Sequence, residues 1–421
     1  MQPRAGNERL QAIAEAALIA TGALVQLFLY PHLIWGDGTA RYANTVALAG
    51  GALTAGKYPL LQSVLTLPLR ALGSLIHSPD EISALFSQLV FFAGCWALWR
   101  LLRGELEEAL LRRFLLLLFA ASMFPHHIQT YYGETLTAFA LAAALCARQT
   151  AVSAPLAVAA ILATPATAPA VLLGGRRRAL ALAAGAGLAL VALENTLRRG
   201  APWLTGYEGD HYVQTLLPYS ARPTFGVPFL LGLPGHLISP GKGLLFFAPG
   251  LLLLVTARPA QERVRAVLGA WLLALAALVA VYSKWFAWAG GWFWGPRFLL
   301  FASFPACLAI AAALGEERAS RLRRVATALL LAASVWVGFE GAVFGQHAME
   351  LCTSDPKLEV LCWWVPEFSA LFRPFIVPRA LSPRELVIAA WFCASLCVLG
   401  WPLLRRSAGT AVDQKTPPSA A

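Results

Sequence analysis

The residues best suited to chemistry stand in LIWGDGTARYANTVALAGG, residues 33–51. Asp37 lies between Gly36 and Gly38, which permit backbone conformations that a residue with a Cβ resists. Such a turn can aim the carboxylate at a neighbour. A carboxylate held beside a hydroxyl can take its proton as a general base. The bland alternative is a helix cap, with Asp37 satisfying free N–H groups of the helix expected over 39–49. Residue type and position alone leave both roles open. A second acid, Glu134, lies in SMFPHHIQTYYGETLTAFALAAAL, at the start of a long apolar run. An ionisable group at membrane depth points to function. Glu340 is another acid inside an apolar run, where it either pairs with an arginine or reaches the interface. A metal site from His126, His127 and Glu134 is disfavoured, because adjacent histidines point apart and no HExxH spacing is present. A divalent metal is compatible with these residues but unsupported, and no cofactor is required.

The elements that must carry these residues follow from composition. The chain has 421 residues, 58% hydrophobic and only 13% charged, against about 25% charged in a soluble domain. Apolar runs of about 18 residues or more read as transmembrane helices. In hydrocarbon only helices or closed barrels satisfy their own backbone. The runs are rich in Ala and Leu and lack alternation, so barrels are excluded. The expected fold is all-α, a polytopic bundle of about 12 spans. They are placed at 11–35, 82–100, 113–125, 134–148, 151–164, 166–174, 179–195, 243–257, 264–283, 297–314, 325–345 and 384–404. The 151–174 pair is short enough to be a re-entrant hairpin turned at Thr164-Pro165. No small-residue cleavage site follows the first run, so it is expected to be retained. Residues 1–406 are expected to form one transmembrane domain, and 407–421 a disordered inner tail.

The net charge of +11 is a topology signal rather than a nucleic-acid signal. With both termini inside, the inner segments hold Arg4, Arg9, Arg100, Arg103, Arg112, Arg113, Arg148, Arg176, Arg177, Arg178, Arg258, Arg263, Arg265, Arg318, Arg321, Arg323, Arg324, Arg405, Arg406 and Lys415. That is 20 of the 33 Lys and Arg residues, in the shorter loops, which is the positive-inside pattern. The long segments, 36–81, 198–242 and 346–383, then lie outside, together with the aromatic 284–296. Within the first, LLQSVLTLPLRALG reads as an interfacial amphipathic helix with Leu60, Leu61, Val64, Leu65 and Leu69 on its apolar face. Tryptophans such as Trp35, Trp203, Trp285 and Trp364 fit an interfacial belt. One or two in WFAWAGGWFWGPRF could instead stack on a sugar. Cys352 and Cys362 fall in one outer loop, where a disulfide is expected because that face is oxidising. Cys95, Cys146, Cys307, Cys393 and Cys397 read as packing residues.

The stretch WGDGTARYANTVALAGGALTAGKYPLLQSVLTLPLRALG resembles the first outer loop of the GT-C superfamily of membrane glycosyltransferases, which includes the protein mannosyltransferases and the aminoarabinose transferases. Those proteins have an acid just after the first span, then Arg-Tyr or Tyr, then an interfacial helix with a Pro. LISPGKGLLFFAPGLLLLV and WFAWAGGWFWGPRFLLFASFPACLAI are similar to further segments of bacterial members. The resemblance implies a polyprenyl-phosphate-linked sugar donor, inverting transfer to a glycan, lipid or protein acceptor, and Asp37 as catalytic base with Glu134 as a second site acid. It also implies cations on the departing phosphate: Lys57, Lys242, Arg297 and Arg41, with Arg222 behind them. Arg suits bidentate phosphate contact and Lys acts as a point charge. The bland alternative for each is snorkelling to lipid headgroups. Tyr42, His127, Tyr132 and Trp292 are candidates for sugar or acceptor contact. Some members carry two adjacent acids in this loop. Here Asp37 is followed by Gly38, which argues against a paired-carboxylate metal site.

The expected activity is thus glycosyl transfer at the outer face of a bacterial inner membrane, with the bilayer as partner and no nucleic acid. A flippase of lipid-linked sugars is the first competitor. Transporters show repeated halves and broken helices near the midplane, whereas the polar candidates here gather at one face. A polysaccharide ligase of the same superfamily is the second competitor, and a noncatalytic scaffold the third.

Overall fold

The computed structural model describes residues 3–175, 177–256 and 259–413. Among them no strand longer than an isolated bridge occurs, and the fold is all-helical. Seven described helical segments are long and apolar enough to cross a membrane: Asn7–Leu29, Pro79–Leu102, Arg178–Arg199, Glu262–Tyr282, Arg297–Gly315, Arg321–Val343 and Pro383–Leu404. The chain is a multi-pass membrane protein. Shorter apolar helices, Glu134–Cys146, Thr150–Ala163 and Pro165–Gly174, stand where three of the other expected spans were placed, and Glu108–Ala120 covers much of a fourth. The 243–257 segment departs from expectation. It breaks into Leu244–Phe247, Pro249–Leu252 and Leu253–Thr256. Pro249 has no N–H to donate, so a continuous helix cannot run through it unperturbed.

Packing follows membrane rules, in which small residues let helices approach closely. Ala157, Ala160 and Ala184 are buried where Thr150–Ala163 meets its neighbours Glu134–Cys146 and Arg178–Arg199. Elsewhere the core is aromatic. Phe91, Phe124 and Phe304 are fully buried, with Phe124 5.2 Å from Phe91 and 5.3 Å from Phe304 between ring centroids.

Ion pairs tie helices and loops at one end of the bundle. Glu105 binds Arg148 and Arg263 at 2.9 and 2.5 Å. Glu15 binds Arg112 and Arg113 at 2.7 and 3.0 Å, and Arg323 binds Glu316 at 2.9 Å. These arginines belong to the segments read as inner. Arg176, Arg258 and Lys415 lie outside the described residues. The last helix runs from Pro383 through Asp413, so the first part of the tail expected to be disordered is helical, and 414–421 lie outside the described residues.

At the other end, Asp37–Ala49 and Leu61–Leu75 pack on each other. The second helix buries its polar side, Gln62, Ser63 and Thr66, and exposes Val64, Leu65, Leu72 and Leu75. A helix that turns apolar residues outward suits a lipid interface. Cys352 and Cys362 are bonded as a disulfide, with Cα atoms 6.0 Å apart.

Candidate active site

Two chain segments bring the acids together. After the first helix, Leu33 pairs with the 129–131 stretch: its N–H donates to Gln129 O at 2.9 Å and its carbonyl accepts from Tyr131 N–H at 3.0 Å. The Asp37 turn therefore stands beside the loop that leads into Glu134. Gly36 has φ +57°, and a Cβ there would lie 2.8 Å from the Phe293 ring. A Cβ on Gly38 would lie 2.8 Å from Tyr131 O. Both glycines are thus demanded by close approach. Asp37 begins its helix but makes no capping bond. Its carboxylate instead accepts from Arg297 Nη1 at 2.7 Å, and the same Nη1 lies 3.6 Å from Glu134 Oε1. Arg297 also lies over the Phe293 ring at 4.2 Å, a contact that favours the cation. Burial pushes the Asp37 carboxyl up. The Arg297 charge, hydrogen bonds from Tyr58 and Arg297, and the Arg41 charge outweigh it and hold Asp37 below the ordinary range.

The Lys57–Tyr58 segment is positioned by the end of Arg178–Arg199. Arg198 donates to the carbonyls of Thr54, Gly56 and Tyr58 at 2.7, 2.6 and 2.8 Å. Glu194 accepts from Leu60 N–H at 3.1 Å. This clamp presents Tyr58 to Asp37, puts the Tyr58 ring 4.5 Å from the Arg41 guanidinium, and leaves Lys57 paired with Asp210 at 2.6 Å.

Two cavities meet at these charges. The larger, about 980 Å³, is walled mostly by apolar residues such as Leu141, Leu172, Leu188, Val191, Leu278 and Phe301. The smaller, about 400 Å³, is polar, with Asp37, Tyr58, Asp210, Tyr212, Trp292 and Glu359 in its walls. Arg41, Lys57, Glu134 and Arg297 line both. A site of this shape can hold an amphiphile with its charged head at the junction.

No family model matches the sequence, and no curated protein matches it. Among solved structures, ArnT from Cupriavidus metallidurans bound to undecaprenyl phosphate aligns over 97% of this chain and 81% of its own, at 16% identity and a TM-score of 0.50. Its apo state aligns over 96% and 80%, at the same identity and TM-score. The chain has the GT-C fold. The oligosaccharyltransferase AglB from Archaeoglobus fulgidus, in complex with an inhibitory peptide and a dolichol-phosphate, aligns over 82% of this chain and 58% of its own, at 12% identity and a TM-score of 0.45, a likeness that adds nothing to the assignment.

On this GT-C fold the expected site residues divide. Asp37, Glu134, Arg297, Arg41, Lys57 and Trp292 line the polar cavity. Lys242, also expected on the phosphate, lines neither cavity. It is fully buried and donates to the carbonyls of Gly291 at 2.9 Å, Gly295 at 3.3 Å and Phe293. A buried ammonium needs such partners, and here they are the turn leading to Arg297. Tyr42 also lies off the cavities, donating to Asp80 at 2.6 Å and packing edge-on against Tyr131. His127 is buried against Trp294 and His126. Tyr132 is buried, with its ring 5.4 Å from Phe293 behind the Arg297 pair. Glu340 is fully buried, pairs with no arginine among the described residues, and accepts from Trp294 Nε1 at 2.5 Å. Among the described residues no group of three His, Cys, Asp or Glu side chains is arranged to hold a metal.

Tyr58 and Glu359 line the polar cavity without having been singled out in the sequence, whereas Asp210 stands among the outer-loop polar residues able to bind acceptor. Tyr58 follows Lys57 directly, which was its available signal. Glu359 comes from a distant loop and had none beyond charge. Burial pushes the Glu359 carboxyl up, against a bond from Tyr212 and the Lys242 charge.

Proposed function

We propose that the protein transfers a sugar from a polyprenyl-phosphate-linked donor to a hydroxyl acceptor, with inversion, at the outer face of the inner membrane. The supporting observation is the Asp37–Arg297–Glu134 cluster at the junction of an apolar and a polar cavity. The polyprenyl chain lies in the apolar cavity and the phosphate on Arg297, Lys57 and Arg41. The sugar then projects into the polar cavity. The acceptor oxygen attacks the anomeric carbon, and the bond from that carbon to the phosphate oxygen breaks. Asp37 takes the acceptor's proton, and polyprenyl phosphate leaves with the electron pair. Cations aimed at developing charge lower such barriers, often as the largest contribution. A phosphate seated on Arg297 draws the guanidinium away from Asp37, which restores the carboxylate's basicity when it is needed. Glu134 keeps Arg297 in place as this sharing occurs. The ArnT structure, which holds undecaprenyl phosphate on the same fold, supports the lipid class. The arginine-tied loops at the opposite end support an outward-facing site, by the positive-inside tendency. The transport reading gains nothing from the structure, since the charged cluster sits at helix ends and two of its members are locked in one ion pair.

The test is purified protein in lipid nanodiscs. Asp37→Asn is expected to lose at least about a hundredfold in polyprenyl phosphate release from lipid-linked sugars, with undecaprenyl phosphate binding retained. Activity within a few-fold of wild type removes Asp37 as the base.

A further inference from the structure

The polar cavity contains one acid that neither the ion pairs nor the proton transfer uses. Glu359 opens the short helix Glu359–Trp364 and is 1% exposed, yet it forms part of the cavity wall. The other three acids of that wall are engaged by cavity cations: Asp37 and Glu134 by Arg297, Asp210 by Lys57. Glu359 makes no ion pair within 4 Å among the described residues; the Tyr212 hydroxyl donates to its two oxygens at 2.5 and 2.6 Å. A carboxylate offers about four acceptor positions, and one hydroxyl occupies only part of that capacity. Burial pushes the Glu359 carboxyl up, and the Tyr212 bond and then the Lys242 charge oppose that push; Lys242 itself is fully buried and turned toward backbone carbonyls. The acid is therefore stabilised from within the protein, by Tyr212, Lys242 and the Trp363 indole, and four acceptor positions leave capacity for a neutral hydrogen-bond donor from the cavity.

Position narrows the ligand. Glu359, Tyr212 and Trp292 line the polar cavity but not the apolar one. They lie beyond the shared cations, on the side where the group esterified to the phosphate must project. Trp292 stacks on Phe293 at 4.6 Å and 17°, and Trp35 packs at a tilt against both rings, at 5.4 and 5.5 Å. A rigid aromatic surface beside a few fixed polar groups is the usual composition of a site for a small ring. A sugar has that character, with apolar C–H faces and a rim of hydroxyl donors. The segment holding Glu359 is fixed by the Cys352–Cys362 disulfide, which brackets it in sequence.

We propose that Glu359, buttressed by Tyr212, binds hydroxyls of the donor's sugar ring against Trp292, and so sets which sugar the protein accepts. This rests on the glycosyl-transfer reading above and adds the residue that reads the sugar. The role is binding and selection, and no bond is made or broken at Glu359.

The test compares affinity for undecaprenyl phosphate with affinity for undecaprenyl phosphate carrying neutral hexosyl, pentosyl and N-acetylhexosaminyl groups, using full-length protein in nanodiscs. Wild type is expected to bind at least one sugar-bearing lipid about tenfold or more tighter than the bare lipid, as hydrogen bonds to a charged group allow. Glu359→Gln and Tyr212→Phe are expected to lose most of that margin and to keep bare-lipid affinity within about twofold. A variant pair that weakens both lipids equally makes Glu359 a structural group and overturns the proposal. So does a margin that survives in both variants, or a wild type that gains nothing from any sugar. A wild type that binds neither kind of lipid overturns the glycosyl-transfer reading itself, and the sugar site with it.

Discussion

At the scale of single residues, one guanidinium organises the site. Arg297 is 7% exposed in its side chain and touches Asp37 and Glu134 at once. Removing it leaves two partly buried carboxylates facing each other without their cation. Breaking a buried pair by deleting one partner is strongly destabilising, so Arg297→Ala is expected to lose stability as well as at least tenfold in undecaprenyl phosphate affinity. Arg297→Lys keeps the charge and should recover stability more than affinity, because an ammonium cannot make the two-pronged contact. Ligand titration beside thermal unfolding separates the two effects, and equal recovery of both would remove the bidentate role. Asp37 gives a prediction in pH. An acid whose folded-state value is depressed stabilises the fold above its unfolded value and loses that contribution as pH falls through the folded value. Asp37 is held low chiefly by Arg297, against burial. Wild type should therefore exceed Asp37→Asn in thermal midpoint at neutral pH, with the gap closing only below about pH 4. A gap already closed at pH 6 would contradict the pairing.

At the scale of elements, the site depends on loops that are themselves clamped. The turn ahead of Arg297 has Gly290, Gly291 and Gly295 at positive φ, and its carbonyls converge on Lys242. Lys242→Met leaves those carbonyls without their donor and Glu359 without its nearby charge. The expected loss is about 3–5 kcal/mol of stability, measured by denaturant unfolding in detergent, and a loss under about 0.5 kcal/mol would show that the clamp is dispensable. Gly290→Ala tests geometry alone. Its Cβ would meet Arg297 Cγ at 2.9 Å with φ at +72°. That strain amounts to about 1–2 kcal/mol and should displace Arg297, lowering undecaprenyl phosphate affinity. Gly185→Ala, whose Cβ meets nothing within 4 Å, is the control and should leave affinity unchanged.

At the scale of the molecule, the bundle separates an arginine-tied end from the end that holds the Asp37–Arg297–Glu134 cluster. A membrane-impermeant thiol reagent added to intact cells should label Arg222→Cys, on the exposed 200–228 loop, and leave Glu317→Cys unlabelled above the background of native thiols. The reverse pattern would invert the topology and place the site inside. The disulfide joins residues ten apart in sequence, and closing a loop of that size contributes roughly 2–3 kcal/mol. Cys352→Ser should lower the thermal midpoint and loosen sugar selection without abolishing undecaprenyl phosphate binding, since Arg297 and Lys57 stand on other segments. Loss of all lipid binding would show that the outer cap holds the whole site.

Much of this was readable in the chain because it is written locally. Hydrocarbon requires long apolar helices, so spans appear in composition, and loop charge supplies an expected orientation. Gly36-Asp37-Gly38 marks a turn whose neighbours come too close for side chains. Other features depended on partners far away in sequence. Lys242, after Gly241, and Arg297, after Pro296, each stand at the start of an apolar run and look alike in the sequence. One faces a cavity and the other faces three carbonyls, because Pro249 breaks the 243–257 helix and the 291–295 turn folds over the ammonium. Tyr42 and His127 look as capable of binding sugar as Trp292, yet packing turns them into the core. Glu359 was invisible for the converse reason. An isolated acid in a loop acquires meaning only when Tyr212, 147 residues away, closes on it. Local patterns settle which residues lie in or beside the membrane, while long-range contacts alone decide which polar groups reach the shared space, since a buried charge is defined by what surrounds it.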